Sequence, residues 1–211
     1  MIAGISFSYA KNSLQTRGLR LLQEVANIDL VCDMTTFDIP ICNSNKSDGN
    51  VPESVSNLID VLDSADILIF AISEATSHYS AGFKNAMDWL VVKSKFNARL
   101  GTDYCITDKP IFVVTFTPTK KNEANNGARH FKMTTELLEK LGAKVIHVEV
   151  VHDAWRTVVP NNYEAVDHLA NVLNKFTISY IPTLLVKQNN NTSSLKWLTL
   201  YNEWDAKWKN K

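Results

Sequence analysis

Cysteine is scarce in this chain. Cys32, Cys42 and Cys105 are the only three among 211 residues, they form no CxxC pair, and their odd number gives no disulfide framework. Long apolar runs are also missing. The longest, Ile67–Ile72, is strand-sized and falls far short of the roughly 18–20 residues needed to cross a bilayer. Neither charge is in surplus: lysine plus arginine and aspartate plus glutamate both total 22. No global field therefore draws nucleic acid or an anionic membrane, and neither partner is expected. The opening MIAGISFSYA has no basic leader before an apolar core and reads as a first strand. Together with the cysteine pattern this sets the expectation of a reducing, cytoplasmic location. What is present is ordinary globular material, 45% hydrophobic and 21% charged, enough to bury a core in one domain with an appendage.

Four continuous apolar runs predict strands at Ile2–Phe7, Ile67–Ile72, Ile111–Phe116 and Lys144–Val151, with a weaker fifth at Ile28–Met34. Strands apolar on both faces belong to a parallel sheet covered by helices on both sides. Between them, helical periodicity marks Leu14–Ala26, Pro52–Ser64, Gly82–Phe96, Ala128–Leu141 and Tyr163–Phe176. Proline followed by Glu53 starts the second helix well, and Gly142 stops the fourth. The βα alternation predicts a doubly wound α/β fold, a five-stranded parallel sheet with helices on both faces. Ligands of such sheets bind beyond the carboxyl ends of the strands, which singles out loops 6–13, 37–51, 73–81 and 117–127. The assigned domain is 1–180. Residues 181–211 form a C-terminal extension in which Pro182 breaks the helical region and QNNNTSS (188–194) is linker, including the N-x-[ST] matches at Asn190 and Asn191. Trp197, Tyr201, Trp204 and Trp208 then share one face of an amphipathic helix, and from 181 onward five lysines against Glu203 and Asp205 give a local charge of +3.

The first loop lies in GISFSYAKNSLQTRGL (4–19). Ser6, Ser8, Asn12, Ser13, Gln15 and Thr16 surround a strand-to-helix turn, where backbone N–H groups and the positive helix end can hold a phosphate. The same residues serve as routine helix caps, so the stretch by itself reads first as capping. It is neither a Walker A loop nor GxGxxG.

The later stretch SEATSHYSAGFKNAMDWL (73–90) shifts that balance. Ser6-Phe7-Ser8 with Ser13 and Gln15, the Asp38-Ile39-Pro40 segment, Pro52-Glu53, Ser73-Glu74 and Lys84-Asn85-Ala86-Met87-Asp88-Trp89 occur in the order and spacing of one family. Across residues 2–176 the chain resembles the NADPH-dependent FMN reductases, flavodoxin-like flavoproteins, with KNAMDW the most specific part. The resemblance implies FMN as bound cofactor and NAD(P)H as hydride donor. It implies that Ser6, Ser8, Ser13, Gln15 and Thr16 surround the phosphate, with Gln15 contributing its side-chain amide. Ser73, Glu74, Ala75 and Thr76 would then run along the isoalloxazine ring, and Thr117, Pro118 and Thr119 would close its other side. His78 and Tyr79 would meet nicotinamide or acceptor, and Arg129 or Lys120 a phosphate of the pyridine nucleotide. The Gly82–Phe96 helix, with Lys84, Asn85, Asp88 and Trp89, would build a homodimer. Phe7 replaces the family's glycine, so either its side chain crowds the phosphate loop or the backbone differs there. Ala75 replaces an aromatic over the flavin.

The expected activity is hydride transfer from NAD(P)H to FMN and then to a small-molecule acceptor of the flavin, quinone or azo type, in a ping-pong cycle. No catalytic acid is assigned, because oriented backbone donors suffice for the reduced ring. The alternative is a flavodoxin-like electron carrier or flavin-binding module, which the zero net charge disfavours; a fold that has lost flavin is a third reading. His147 and His152 find no third ligand at metal spacing, so no metal site is assigned. The cysteines read as small apolar fillers. The aromatic tail face is expected to pack on protein, with membrane contact the lesser reading.

Overall fold

The structure, a computed structural model, describes residues 1–43, 51–97, 103–121 and 127–188. Five strands form one parallel sheet: β1 (Ile2–Ser6), β2 (Leu30–Asp33), β3 (Ile67–Ala71), β6 (Pro110–Phe116) and β7 (Lys144–Val151), in the order β2-β1-β3-β6-β7. A two-stranded hairpin, β4 (Glu74–Ala75) and β5 (His78–Tyr79), follows β3. The long helices are α1 (Leu14–Val25), α3 (Glu53–Ser64), α4 (Ala81–Asn97), α5 (Phe131–Lys140) and α7 (Glu164–Gln188). Two single-turn helices, α2 (Met34–Phe37) and α6 (Ala154–Thr157), complete the elements among the described residues. This is the flavodoxin-like doubly wound sheet that the alternation predicts, and no helix among the described residues is long and apolar enough to cross a membrane.

The central strands behave as their composition requires. Every residue of β1, β3 and β6 is buried. Strand β7 departs from the expected two-sided burial: it is an edge strand with alternating exposure, leaving Ile146 at 41% and Val148 at 40% exposed. With no strand beyond it and partial cover, its alternate side chains stand half in water.

Helix ends show local chemistry at work. Ser13 caps α1, its hydroxyl accepting from the Thr16 N–H at 3.1 Å. The half-buried Lys109 ammonium donates to the carbonyls of Leu62 (2.8 Å), Asp63 and Ala65 (2.9 Å) at the C-terminus of α3. Burial lowers the pKa of that amine. Gly142, at φ +81°, closes α5 with its own N–H on Glu139 O and the Ala143 N–H on Leu138 O.

The chain divides into two compact units, Met1–Leu173 and Asn174–Lys211. In the second, helical backbone continues through Pro182 to Gln188, where a break was expected. Proline removes the bond to the carbonyl four residues back and crowds that carbonyl, but the helical assignment is unbroken on either side of it. The linker from 189 and the aromatic helix around Trp197–Trp208 lie outside the described residues.

Candidate functional site

The strand order reverses between β1 and β3, so their carboxyl ends open a crevice at that point. Three loops converge there: 7–13 after β1, 72–80 after β3, and 117–121 after β6. Backbone bonds carry the sheet one residue further at each exit, from Phe7 N–H to Ala71 O, Ile72 N–H to Val114 O and Thr117 N–H to Val151 O.

In the first loop, Phe7 turns its side chain fully inward, edge-on to Phe70 (4.9 Å between ring centroids) and Phe83 (5.2 Å). It therefore does not crowd the turn. The amides of Lys11, Asn12, Leu14 and Gln15 make no hydrogen bond among the described residues, and they sit at the N-terminus of α1. Asn12 takes φ 55°, a left-handed bend into the helix. Ser8 and Ser13 stand partly exposed beside them. No aspartate or glutamate occurs from residue 1 to 23, while Lys11 and Arg17 are exposed at the turn, Arg17 Nε donating to Asn12 O at 3.1 Å. The set suits a phosphate: uncommitted N–H donors, hydroxyls, cations and a helix N-terminus.

Other residues assigned to the phosphate lie one layer deeper. The Gln15 amide donates to Phe116 C=O at 2.8 Å and accepts from Phe116 N–H at 3.0 Å, both bonds buried. Its side chain therefore faces β6, and only its backbone N–H is left for an anion. Thr16 donates its hydroxyl to buried Ser6 at 2.9 Å, so the contact of 3.0 Å between Ser13 and Thr16 uses the Ser13 proton. Ser6 and Thr16 thus support the turn from beneath.

The second loop is the β4–β5 hairpin. Thr76 (φ 50°) and Ser77 (φ 63°) form its two-residue tip, the doubly left-handed turn that matches strand twist. Glu74 accepts from the N–H groups of Gly127 (2.8 Å) and Arg129 (3.1 Å), and Arg129 reaches back to Ser77 Oγ at 3.2 Å. The Glu74 carboxylate thus ties the hairpin to the loop after β6. Arg129 also pairs with Glu74 at 3.5 Å, so it is engaged within the fold, whereas Lys120 is exposed. His78 is exposed, and Tyr79 packs on Phe83 at 5.3 Å. Ser73 is half-buried at the start of the loop and Ala75 is exposed on the hairpin. Ser80 caps α4 and donates to Phe7 O at 2.7 Å, joining the first two loops.

In the third loop Thr117 donates to Thr119 Oγ1 at 3.2 Å, and the carbonyls of Thr117 and Thr119 accept from Ala154 and Asp153 N–H groups. Residues 122–126 lie outside the described residues. Beneath this loop is His130, which the sequence reading passed over. Thr115 gives its hydroxyl proton to Ile72 O (2.8 Å), so His130 Nε2 must donate to Thr115 and Nδ1 must accept from Thr134. Burial holds this ring neutral, with a pKa down at about 4.

Within KNAMDW, Ala86, Met87 and Trp89 are buried. Asn85 Nδ2 and Trp89 Nε1 both donate to Pro40 O, at 2.9 and 2.8 Å, and Asn85 Oδ1 accepts from Cys42 N–H at 2.7 Å. The motif therefore fastens the 38–42 segment to α4, while Lys84 and Asp88 pair along the helix surface. Burial drives the Cys32 and Cys105 thiols up to about 12, as inert fillers require.

The family model described as NADPH-dependent FMN reductase matches residues 1–157. No curated protein matches the chain in sequence. Among solved structures, FerB, a flavoenzyme NAD(P)H:(acceptor) oxidoreductase from Paracoccus denitrificans, is 23% identical over 69% of this chain and 74% of its own, with a TM-score of 0.55. NAD(P)H:quinone oxidoreductase from Methanothermobacter marburgensis is 14% identical over 78% and 93%, at 0.54. An FMN-dependent NADH-azoreductase from Bacillus anthracis, in complex with FMN, is 12% identical over 82% and 97%, at 0.53. At these identities the likeness speaks to the fold.

Proposed function

The chain belongs to the NADPH-dependent FMN reductase family, oxidoreductases whose cofactors are FMN and NAD(P)H, and from that premise we propose that it reduces a flavin, quinone or azo-type acceptor in a ping-pong cycle. Bound at the switch point, FMN would supply the hydride chemistry, taking two electrons from NAD(P)H and passing them to the acceptor. The observation that carries the reading is the set of four uncommitted amides, Lys11, Asn12, Leu14 and Gln15, at the N-terminus of α1 beside Ser8 and Ser13.

Those donors would hold the phosphate, with Lys11 and Arg17 adding charge. The backbone of Ser73–Thr76 would line one side of the ring and Thr117–Thr119 the other, both fixed in advance by Glu74, Arg129 and Gln15. Preorganised backbone donors stabilise developing negative charge without a titrating acid, and Glu74 is committed to two amides, which leaves it no proton-transfer role. His78 and Tyr79 stand on the outer hairpin strand, where donor and acceptor would alternate. The free cysteines support a reducing, cytoplasmic setting. A homodimer through α4 belongs to the same proposal, with Ala81 and Lys84 outward and Trp89 held within the fold; sedimentation equilibrium tests it by returning the mass of one chain or two.

Ser13→Asp tests the site. Aspartate caps a helix as well as serine and suits its positive end, so the fold is kept while a carboxylate meets the phosphate. The expected result is wild-type melting with FMN affinity reduced by tenfold or more, on the order of 1.4 kcal/mol. Unchanged retention of flavin colour after desalting places the phosphate elsewhere. Parallel double-reciprocal plots for NAD(P)H and a quinone support the alternating cycle, and intersecting ones refute it.

A further inference from the structure

We propose that His147, Glu149 and His168 form a site for a divalent transition-metal cation of the zinc type, which clips helix α7 to the edge strand β7. His147 and Glu149 are two apart on β7 and so share one face of the strand. His168 comes from the first turns of α7 and its side chain reaches that face. Nε2 of His147 and Nδ1 of His168 both lie 2.9 Å from the same oxygen, Glu149 Oε2. The three ligand atoms are all within 4.8 Å of one another, and the two imidazole centroids are 5.9 Å apart.

The donor set selects the ion. Two imidazoles and one carboxylate suit Zn²⁺ and its first-row neighbours, whereas Mg²⁺ and Ca²⁺ prefer shells built from oxygen. Bonds of about 2.0–2.2 Å in a tetrahedron put neighbouring ligand atoms about 3.3 Å apart; each nitrogen now lies 2.9 Å from the carboxylate oxygen and all three atoms lie within 4.8 Å, so binding an ion requires the side chains to shift. The adjustment falls on His168, whose side chain is 72% exposed and can move at little cost. Three protein ligands leave one position for water, the pattern of an open site. Charge argues the same way. The half-buried Glu149 carboxylate pairs with no lysine or arginine among the described residues; its partners are the two imidazoles. None of the three residues takes part in the proposed redox site, whose loops begin at the strand ends.

Sequence spacing hides this cluster. His147 invites pairing with His152, but His152 Nδ1 turns to Thr119 O at 3.3 Å, and the third ligand arrives from a helix 19 residues beyond Glu149.

The test uses the full chain, stripped by chelator and held at about pH 7.5, because metal competes with protons for its ligands. Co²⁺ is titrated by visible absorbance and Zn²⁺ by calorimetry. The expected result is one saturable equivalent and a melting temperature raised by excess Zn²⁺. His168→Ala and, separately, Glu149→Gln should each weaken binding by at least about tenfold and abolish the thermal shift, while Cys42→Ser leaves both intact. Circular dichroism confirms the fold of each variant. Absence of saturable uptake, or uptake unchanged in the folded His168→Ala and Glu149→Gln proteins, overturns the proposal and leaves a hydrogen-bonded triad. Loss of uptake in Cys42→Ser overturns it too, by placing the metal on a thiol.

Discussion

Replacing Gln15 by methionine removes one amide and keeps a side chain of nearly the same length and volume. In the native fold that amide bridges α1 to β6 through two buried bonds with Phe116, 2.8 Å to its carbonyl and 3.0 Å from its N–H. Methionine leaves both backbone groups without a partner, and neither Gln15 nor Phe116 is exposed enough for water to replace it. Each orphaned group costs about 1–3 kcal/mol; the added apolar burial offsets about 1 kcal/mol. A net loss of about 3 kcal/mol corresponds to a fall of roughly 6–12 °C in melting temperature for a chain of this size. The assay is thermal unfolding of the FMN-free protein, followed by far-UV circular dichroism, alongside flavin affinity from fluorescence quenching. Because Phe116 leads into Thr117–Thr119, affinity for FMN should fall as well. Stability without flavin is the deciding quantity. If the FMN-free variant melts within about 2 °C of the parent and only affinity drops, the side chain works on the phosphate and the bridge to Phe116 is not formed.

Three further outcomes follow from the same packing. Gly18 lies inside α1, where an added Cβ would come within 2.3–2.4 Å of the Phe116 ring; Gly18→Ala should therefore lower stability by about 1–2 kcal/mol by urea unfolding, overpacking outweighing the helix propensity gained, and a more stable variant would refute the close approach. Lys109→Met strips three carbonyls at the end of α3 of their cation, a loss on the order of 2–3 kcal/mol that the urea midpoint would show. His130, neutral with a pKa of about 4 in the fold against an ordinary 6.5, makes the unfolded chain the stronger proton binder between those values; stability should fall by up to about 3 kcal/mol as pH drops from about 6.5 to 4, with no further loss from this group below, and a flat profile across that window in urea titrations would contradict the buried neutral ring.

Strand and helix placement was readable because periodicity reports burial, and burial is what a doubly wound sheet imposes on its central strands. Where burial is one-sided the signal weakens. Lys144–Val151 is read as one apolar run although it carries Lys144, His147 and Glu149, and alternate side chains stand exposed because the sheet ends there. Pro182 carries a strong local signal that its helical neighbours override. The site was readable in part. Ser13 stands out because a helix start asks for a short hydroxyl, and it caps α1; the phosphate role given to it and to Ser8 is part of the proposal. Gln15 was found for a reason the fold does not support: its partner Phe116 is 101 residues away, and no local pattern announces such a bond. His130 escaped for the same cause, since its meaning comes from Thr115 and Thr134 across a β6–α5 junction. The motif Lys84–Trp89 was recognised without its physics, which is a pair of donors aimed at one carbonyl, Pro40 O.

The hairpin after β3 shows why the site is not assembled from its own sequence alone. Thr76 and Ser77 sit at φ 50° and 63°, where asparagine and glycine are the residues of choice, and a β-branched threonine there is strained by on the order of 1–3 kcal/mol. Such a turn would relax if it were isolated. It is held by bonds that begin elsewhere: Glu74 to the amides of Gly127 and Arg129, Arg129 to Ser77, and Tyr79 against Phe83. Each of these reaches back to α4 or across to the loop after β6, the same loop that Gln15 anchors through Phe116. The strained tip is therefore over-determined by its surroundings, and the surface it offers beside the α1 turn is set before any ligand arrives. A loop fixed in this way would lose little conformational entropy on closing over a ligand, and with alanine at position 75 any contact it made there would fall to its backbone.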